Sequence, residues 1–228
     1  MRKVAIVGAG PAGLFAAHEL VKHDLEIVVI DRGKAVAERS RSKPFDLLHG
    51  MGGSGTFSDG KINFHTQVGG DLYQFLRADA AWELVNHIEA IFGEYDVHAM
   101  STDDERARDL EKRAAKCGVR FLPIRQAHIG SDHLTAFISA FSGDLAGKGV
   151  TYRLETRVDD VVCEDGSVKG LTLAGGGFIE ADAVILAPGR VGSDWMRRVV
   201  QGLGLPIAHN PVDIGVRVEV PAIAMEDV

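Results

Sequence analysis

Cysteine is almost missing from this chain: Cys117 and Cys163 are the two it has in 228 residues. They stand far apart, with no Cys-x-x-Cys and no Cys/His spacing. That argues against a redox-active disulfide, a zinc or other metal site and a secreted disulfide framework, and for two reduced thiols in the cytoplasm. Long apolar runs are missing as well. Met1-Arg2-Lys3 and the apolar residues after it imitate a signal peptide, but Gly8, Gly10, Pro11 and Gly13 interrupt the run. A polar helix face follows (His18, Glu19, Lys22, His23), and no stretch elsewhere is long enough to cross a bilayer. A soluble cytoplasmic protein without a membrane partner is expected. Positive charge is not in excess either. Twenty-five Lys and Arg against 32 Asp and Glu give a net charge of −7, which speaks against nucleic acid as a partner.

Glycine, in contrast, is abundant at 27 residues, and it clusters in short loops of the kind that approach a ligand closely. The first cluster organises the chain. Lys3-Val4-Ala5-Ile6-Val7 is an apolar β-branched run that stops at Gly8-Ala9-Gly10-Pro11-Ala12-Gly13. A helical pattern follows (Leu14, Ala17 and Val21 inward, His18 and Lys22 outward), then a second apolar run ending Ile30-Asp31. This is the strand–turn–helix–strand order of a dinucleotide site. Gly8 permits the tight turn, Gly10 admits a pyrophosphate, and Gly13 lets helix and strand pack closely. Pro11 fits the first turn of the helix. Free N–H groups there face the phosphates, and Asp31 follows Gly13 at about the spacing, roughly twenty residues, of a ribose acceptor.

Residues 32–48 are polar and basic (Arg32, Lys34, Arg39, Arg41, Lys43) without a clean period, and read mostly as a solvated loop with some cations free to face phosphate. His49-Gly50-Met51-Gly52-Gly53-Ser54-Gly55-Thr56-Phe57-Ser58-Asp59-Gly60-Lys61 is the second informative stretch. Its amides, hydroxyls and one cation suit a loop around phosphates or against a flat ring, and it lacks the Walker spacing. Met51, Phe57 and Ile62 among the glycines are out of place in a flexible linker.

Residues 71–148 read as mainly helical. Trp82, Val85, Ile88 and Phe92 form a stripe ended by Gly93. Thr102-Asp103-Asp104-Glu105 is a capping box for a helix closing at Gly118, and Ser131 caps a third helix. Val119–Pro123 reads as a short extended piece, and His128 and His133 as polar contacts. After Gly149 come strands: Val150–Leu154, Arg157–Cys163, Val168–Leu173 and Phe178–Glu180, the last three forming an antiparallel meander. Ala183–Leu186 is an apolar strand ending Ala187-Pro188-Gly189-Arg190, a helix runs from about Ser193 to Leu203, and Asp213–Val220 alternates like a half-buried strand.

Together the glycine-rich N-terminal βαβ, the Gly-Gly loop, the meander and the strand ending Ala-x-Gly resemble the FAD-binding domain of the glutathione-reductase-type flavoprotein superfamily. More narrowly, Met51 to Lys61, Ala187 to Arg190 and Val212-Asp213-Ile214-Gly215-Val216-Arg217 resemble a group of poorly characterised FAD-dependent dehydrogenases. The resemblance implies an α/β, Rossmann-like domain with FAD as cofactor. Gly8, Gly10, Pro11, Ala12 and Gly13 would hold the pyrophosphate, and Asp31 with Arg32 the adenosine side. Gly52, Gly53, Ser54, Gly55, Thr56, Asp59, Gly60 and Lys61 would run beside the pyrophosphate and flavin. Val158 would meet adenine through its backbone, and Ala187, Pro188 and Gly189 would approach the FAD at the second glycine turn.

The division expected is an FAD-binding part over residues 1–70, a mainly helical insertion over 71–130, a second FAD-binding part with the meander over 131–207, and the start of a substrate domain over 208–228. Members of the group are longer and close the flavin pocket with a later Gly-Asp segment, so the chain is expected to be truncated. The resemblance implies a FAD-dependent oxidoreductase passing a hydride or electron pair between FAD and an unidentified small molecule. NAD(P)H or another donor or acceptor is a possible partner, and the catalytic residues are not identified. The alternatives are a non-catalytic FAD/ADP-binding fragment and an NAD-dependent Rossmann dehydrogenase. The latter predicts further βα units directly after Asp31, where the chain has a glycine loop.

Overall fold

In β1 (Arg2–Val7) the four residues from Val4 to Val7 are all buried, on both faces of the strand. A strand buried on both sides belongs in the middle of a parallel sheet covered above and below. The alternation of side chains divides the two covers. Val4 and Ile6 join Ile27 and Val29 in one apolar cluster, while Ala5 and Val7 join Val28 and Ile30 in another. The computed structural model shows that sheet, and it describes residues 1–100, 105–208, 214–215, 219–221 and 223.

The chain runs from β1 through α1 (Pro11–Leu20) into β2 (Leu25–Ile30), then α2 (Pro44–Leu48), β3 (Lys61–Phe64), α3 (Ala78–Gly93) and α4 (Glu105–Lys116). It continues with β4 (Arg125–His128), α5 (Gly130–Gly147), β5 (Thr151–Arg153), β6 (Val158–Glu164), β7 (Ser167–Leu173), β8 (Phe178–Glu180), β9 (Ala183–Leu186) and α6 (Ser193–Gly202). The main sheet has the order β5-β2-β1-β9, every pair parallel. Helices α1 and α5 cover one face, and the antiparallel meander β6-β7-β8 with α6 covers the other. This is the α/β architecture expected, including the meander.

A smaller sheet was not expected. Lys61–Phe64 pairs antiparallel with Arg125–His128, in register from Lys61↔His128 to Phe64↔Arg125. The stretch 71–130, expected to be mainly helical, thus also carries a strand, which begins at Arg125, and Val119–Pro123, expected as an extended piece, has no regular structure. Phe64, Ala127, Val85 and Phe92 make a third cluster under this ribbon. Phe92 lies 5.6 Å from Phe15 and 4.8 Å from Phe137, and Phe15 lies 5.1 Å from Phe141. These rings join the ribbon to the cluster beneath α1, each pair adding about 0.5–1.5 kcal/mol beyond its buried area.

Three local expectations change. His18, expected to face water, is buried at 7% exposure and stacks on Phe141 at 5.6 Å. The third helix begins at Gly130 with Ile129 as its flanking residue, two positions before Ser131, the expected cap. Thr102-Asp103-Asp104 of the capping box and half of the Asp213–Val220 stretch lie outside the described residues. Among the described residues no helix is long and apolar enough to cross a membrane.

Candidate functional site

The parallel strands β1, β2 and β9 end together, and the loops after them meet. Gly8 takes φ +111, its N–H donating to Ile30 O at 2.7 Å, and a Cβ there would lie 2.1 Å from Ala187 O. Only glycine permits both the left-handed turn and the neighbouring strand. Gly13 is equally constrained, since a Cβ would come 1.8 Å from Gly8 O, so α1 rests directly on the turn. Gly10 differs. Its backbone is extended and the nearest atom to an added Cβ is Gly53 Cα at 3.8 Å, so no packing within the chain demands glycine there. Intrahelical bonding starts with Leu14 N–H to Gly10 O at 3.0 Å, leaving the N–H groups of Ala12 and Gly13 without helical acceptors at the positive end of the dipole.

Asp31, at the end of β2, holds this region together. Its Oδ2 accepts from Ala9 N–H at 2.9 Å, and its Oδ1 from Gly33 N–H at 2.8 Å and Gly50 N–H at 2.9 Å. A carboxylate has about four lone-pair sites, so Asp31 retains one acceptor position, on Oδ2.

The glycine loop is built around Arg39, which belongs to the segment expected as solvated and is instead buried at 7% exposure. Its guanidinium donates to Asp46 O (2.9 and 2.6 Å), Met51 O (2.6 Å), Gly53 O (2.8 Å) and Thr56 Oγ1 (2.6 Å). Phe57 closes the far side, its ring 5.0 Å from the Arg39 guanidinium. Burial lowers the Arg39 pKa, opposed by the charges of Asp31 and Asp46. Gly52 and Gly53 both take positive φ, and Gly52 N–H donates to Ala9 O at 2.8 Å, which brings the loop to the glycine turn.

Between these loops, the start of β6 and the first turn of α6 lies a cleft of about 670 Å³. The sequence-derived residues Gly8, Gly10, Pro11 and Ala12 line it from the turn, and Asp31 and Arg32 from the end of β2. Gly53 and Ser54 line it from the glycine loop, Val158 from β6, and Ala187, Pro188 and Gly189 from the turn after β9. The others lie outside the cleft. Gly13 packs the helix, and Thr56 is fully buried against Arg39. A Cβ on Gly52 would meet Thr56 Oγ1 at 2.4 Å, and one on Gly60 would meet Gly130 at 2.5 Å, whereas Gly55 has open space around it. Asp59 and Lys61 form an exposed pair at 3.4 Å, with the Asp59 carboxyl lowered chiefly by the Lys61 backbone N–H.

Sequence reading missed part of the wall: His49, Thr156, Arg157, Arg190, Trp195 and Arg198. Arg157 and Arg190 each adjoin a residue already named, so extending those motifs by one position would have found them. Trp195 and Arg198 share a face of α6 at i,i+3 spacing, and no motif marks them. Arg32 lies over the Phe45 ring at 5.2 Å and Arg157 pairs with Asp159 at 2.9 Å, while Arg190 and Arg198 form no ion pair among the described residues. In a chain of net charge −7, four arginines on one cleft are a local reversal of sign. His49 adds an unmet acceptor. Its Nδ1 lies 3.0 Å from Phe45 O and must donate to it, so the neutral ring has its lone pair on Nε2. That nitrogen is shielded from solvent without a partner among the described residues.

A glycine-turn helix N-terminus facing an arginine-lined cleft at the ends of parallel strands defines a dinucleotide-binding α/β domain. Residues 3–213 match the family described as FAD dependent oxidoreductase, and the chain belongs to that family. FAD is therefore the cofactor of its kind. An uncharacterized protein of Clostridium beijerinckii is 22% identical over 227 residues, covering 95% of this chain and 36% of that protein. The chain thus spans about a third of that relative's length. Two solved structures share the fold. L-amino acid deaminase from Proteus vulgaris is 14% identical with a TM-score of 0.54, over 90% of this chain and 50% of that one. Glycine oxidase from Bacillus cereus is 16% identical with a TM-score of 0.53, over 89% and 58%.

Proposed function

We propose that this chain forms the cofactor-holding part of a FAD-dependent oxidoreductase of the glutathione-reductase type, in which a hydride or electron pair passes between a small-molecule substrate and FAD. The observation that carries the reading is Gly10, the one glycine of the triplet whose missing side chain opens onto the cleft instead of relieving a contact within the chain. Space left there, at a helix N-terminus, is space for a pyrophosphate. The N–H groups of Ala12 and Gly13 would bind its oxygens, and Ser54 and the arginines would complement its charge. Asp31 Oδ2 would accept one ribose hydroxyl. The Arg157 carbonyl accepts from Ala174 N–H at 2.9 Å, so alternation along β6 turns the backbone groups of Val158 to its open edge, where an adenine could pair.

FAD supplies the two-electron chemistry; the chain's own residues bind it, orient it and set the charge around it. The share of the C. beijerinckii relative that the chain spans supports a division of labour in which further chain completes the flavin pocket and the substrate wall. The same observation favours a second reading, a nucleotide-binding piece that holds FAD or ADP without turnover. NAD(P)H or another small electron donor or acceptor would exchange electrons with the flavin.

The absorbance spectrum of the purified chain tests the proposal. A yellow protein with near-UV and blue bands that releases FAD on denaturation supports it. Colourless protein that binds NADH and refuses FAD would overturn it. Flavin that no reductant bleaches would select the second reading.

A further inference from the structure

We propose that the indole of Trp195 is the platform on which the nucleotide's purine base lies; this rests on the dinucleotide reading of the cleft. A bulge in β6 between Val158 and Asp160 sets two residues against Thr172 of β7. It leaves the Asp159 carbonyl outside the ladder, and Trp195 Nε1 donates to it at 2.8 Å. The indole's one polar group is thereby satisfied by the protein itself, which leaves its ring surface as the part available to a ligand.

The ring is also held in place. It is partly buried and packs against the cluster that contains Val158 and Val199, while lining the cleft. Position within the cleft selects the ligand group. The α1 N-terminus and the Gly53 loop form the end suited to phosphate, and Trp195 approaches from α6 beside Val158, whose backbone faces the same opening. The flat apolar portion of a dinucleotide nearest such a wall is its purine. A rigid aromatic beside an open strand edge offers stacking on the face and hydrogen bonds at the rim. Arg198, one turn further along α6, lines the same cleft and adds a cation to it.

The chain has two tryptophans, and the other, Trp82, sits on α3 against His65 and Arg125, outside the cleft. Fluorescence therefore separates them. ADP titrated into the flavin-free chain should change the emission of wild type and of Trp82→Phe, and leave Trp195→Phe unchanged. Calorimetry gives the energetic test. Trp195→Leu should weaken ADP binding roughly tenfold to a hundredfold, the range for loss of one base–aromatic stack. It should leave binding of inorganic pyrophosphate as in wild type, and Trp195→Phe should restore most of the ADP affinity. Equal loss of ADP and pyrophosphate in Trp195→Leu would mean a packing role and overturn the inference, as would wild-type ADP affinity in that variant. Wild type that binds pyrophosphate and no ADP also overturns it. Wild type that binds neither overturns the dinucleotide reading together with it.

Discussion

The guanidinium of Arg39 donates to the hydroxyl of Thr56 across 2.6 Å, and both side chains are buried. The pair locks the glycine loop to the segment that follows β2, and the other bonds of Arg39 go to the carbonyls of Met51 and Gly53 in the same loop and of Asp46 in α2. Because a planar fork with fixed donors matches these diverging acceptors, Arg39→Lys should be nearly as damaging as Arg39→Met. Each should lower unfolding free energy by about 3 kcal/mol or more, leaving buried carbonyls unmet. Urea unfolding followed by tryptophan emission checks it; a loss under about 1 kcal/mol would assign Arg39 a minor part.

The three glycines of the turn should separate in their effects. Gly13→Ala drives a Cβ to 1.8 Å from Gly8 O and should unfold the domain or spring α1 from the sheet. Gly10→Ala meets nothing nearer than 3.8 Å and should cost about 1 kcal/mol or less as a change of N-cap. Its nucleotide affinity should nonetheless fall by about tenfold or more. Thermal melting alongside ADP titration gives both numbers, and a Gly10→Ala variant that binds like wild type would remove the support under the proposed function.

Asp31 should behave as a residue with two employments. Three backbone N–H groups from three loops depend on its carboxylate, so Asp31→Ala should destabilise by at least about 2 kcal/mol, lowering Tm by roughly 4–8 °C, and weaken FAD as well. Weakened binding with unchanged melting would leave Asp31 as a ligand contact alone.

Acid should expose a link between α1 and α3. Glu19 bonds Lys22 at 2.7 Å, His87 at 2.8 Å and His18 at 3.0 Å, and these partners, Lys22 first and His87 next, hold its carboxyl down from 4.5 to about 2. A carboxyl lowered by folding stabilises above its unfolded pKa, and that contribution fades as pH falls from about 4.5 through about 2. Glu19 is half exposed, so solvent screening keeps the effect to about 1 kcal/mol at most. Stability measured across that range should slope less in Glu19→Gln than in wild type; parallel curves would show that the network contributes nothing.

Much of this arrangement is legible in the sequence because it is local. The βαβ unit, the meander and the strand before Ala187 each announce themselves by period and by glycine within a few residues, and twelve of the nineteen residues named for the cofactor line the cleft. What stayed hidden depends on distant partners. Arg39 looks like a surface cation until the carbonyls of Asp46, Met51 and Gly53 surround it. His18 looks solvated until Phe141, from a helix over a hundred residues later, covers it. The β3–β4 ribbon is four residues a side; Lys-Ile-Asn-Phe alternates over too short a run to stand out, and its partner Arg-Gln-Ala-His is too polar to show a strand pattern. Trp195 enters the wall only through the pitch of α6 and a bulge in β6, neither of which a motif records.

The pairing of β1 with β9 sets Val4 beside Ala183 and Gly8 beneath Ala187. The opening glycine turn is synthesised before the wall beside it, which comes from the end of β9. Contacts this distant in sequence are the slow ones to form. A nascent chain halted before Ala183 would carry the whole glycine fingerprint and half a cleft. Cofactor capture is thus expected only once β9 has joined the sheet, and nucleotide retention during synthesis would report that the two walls of the cleft have met.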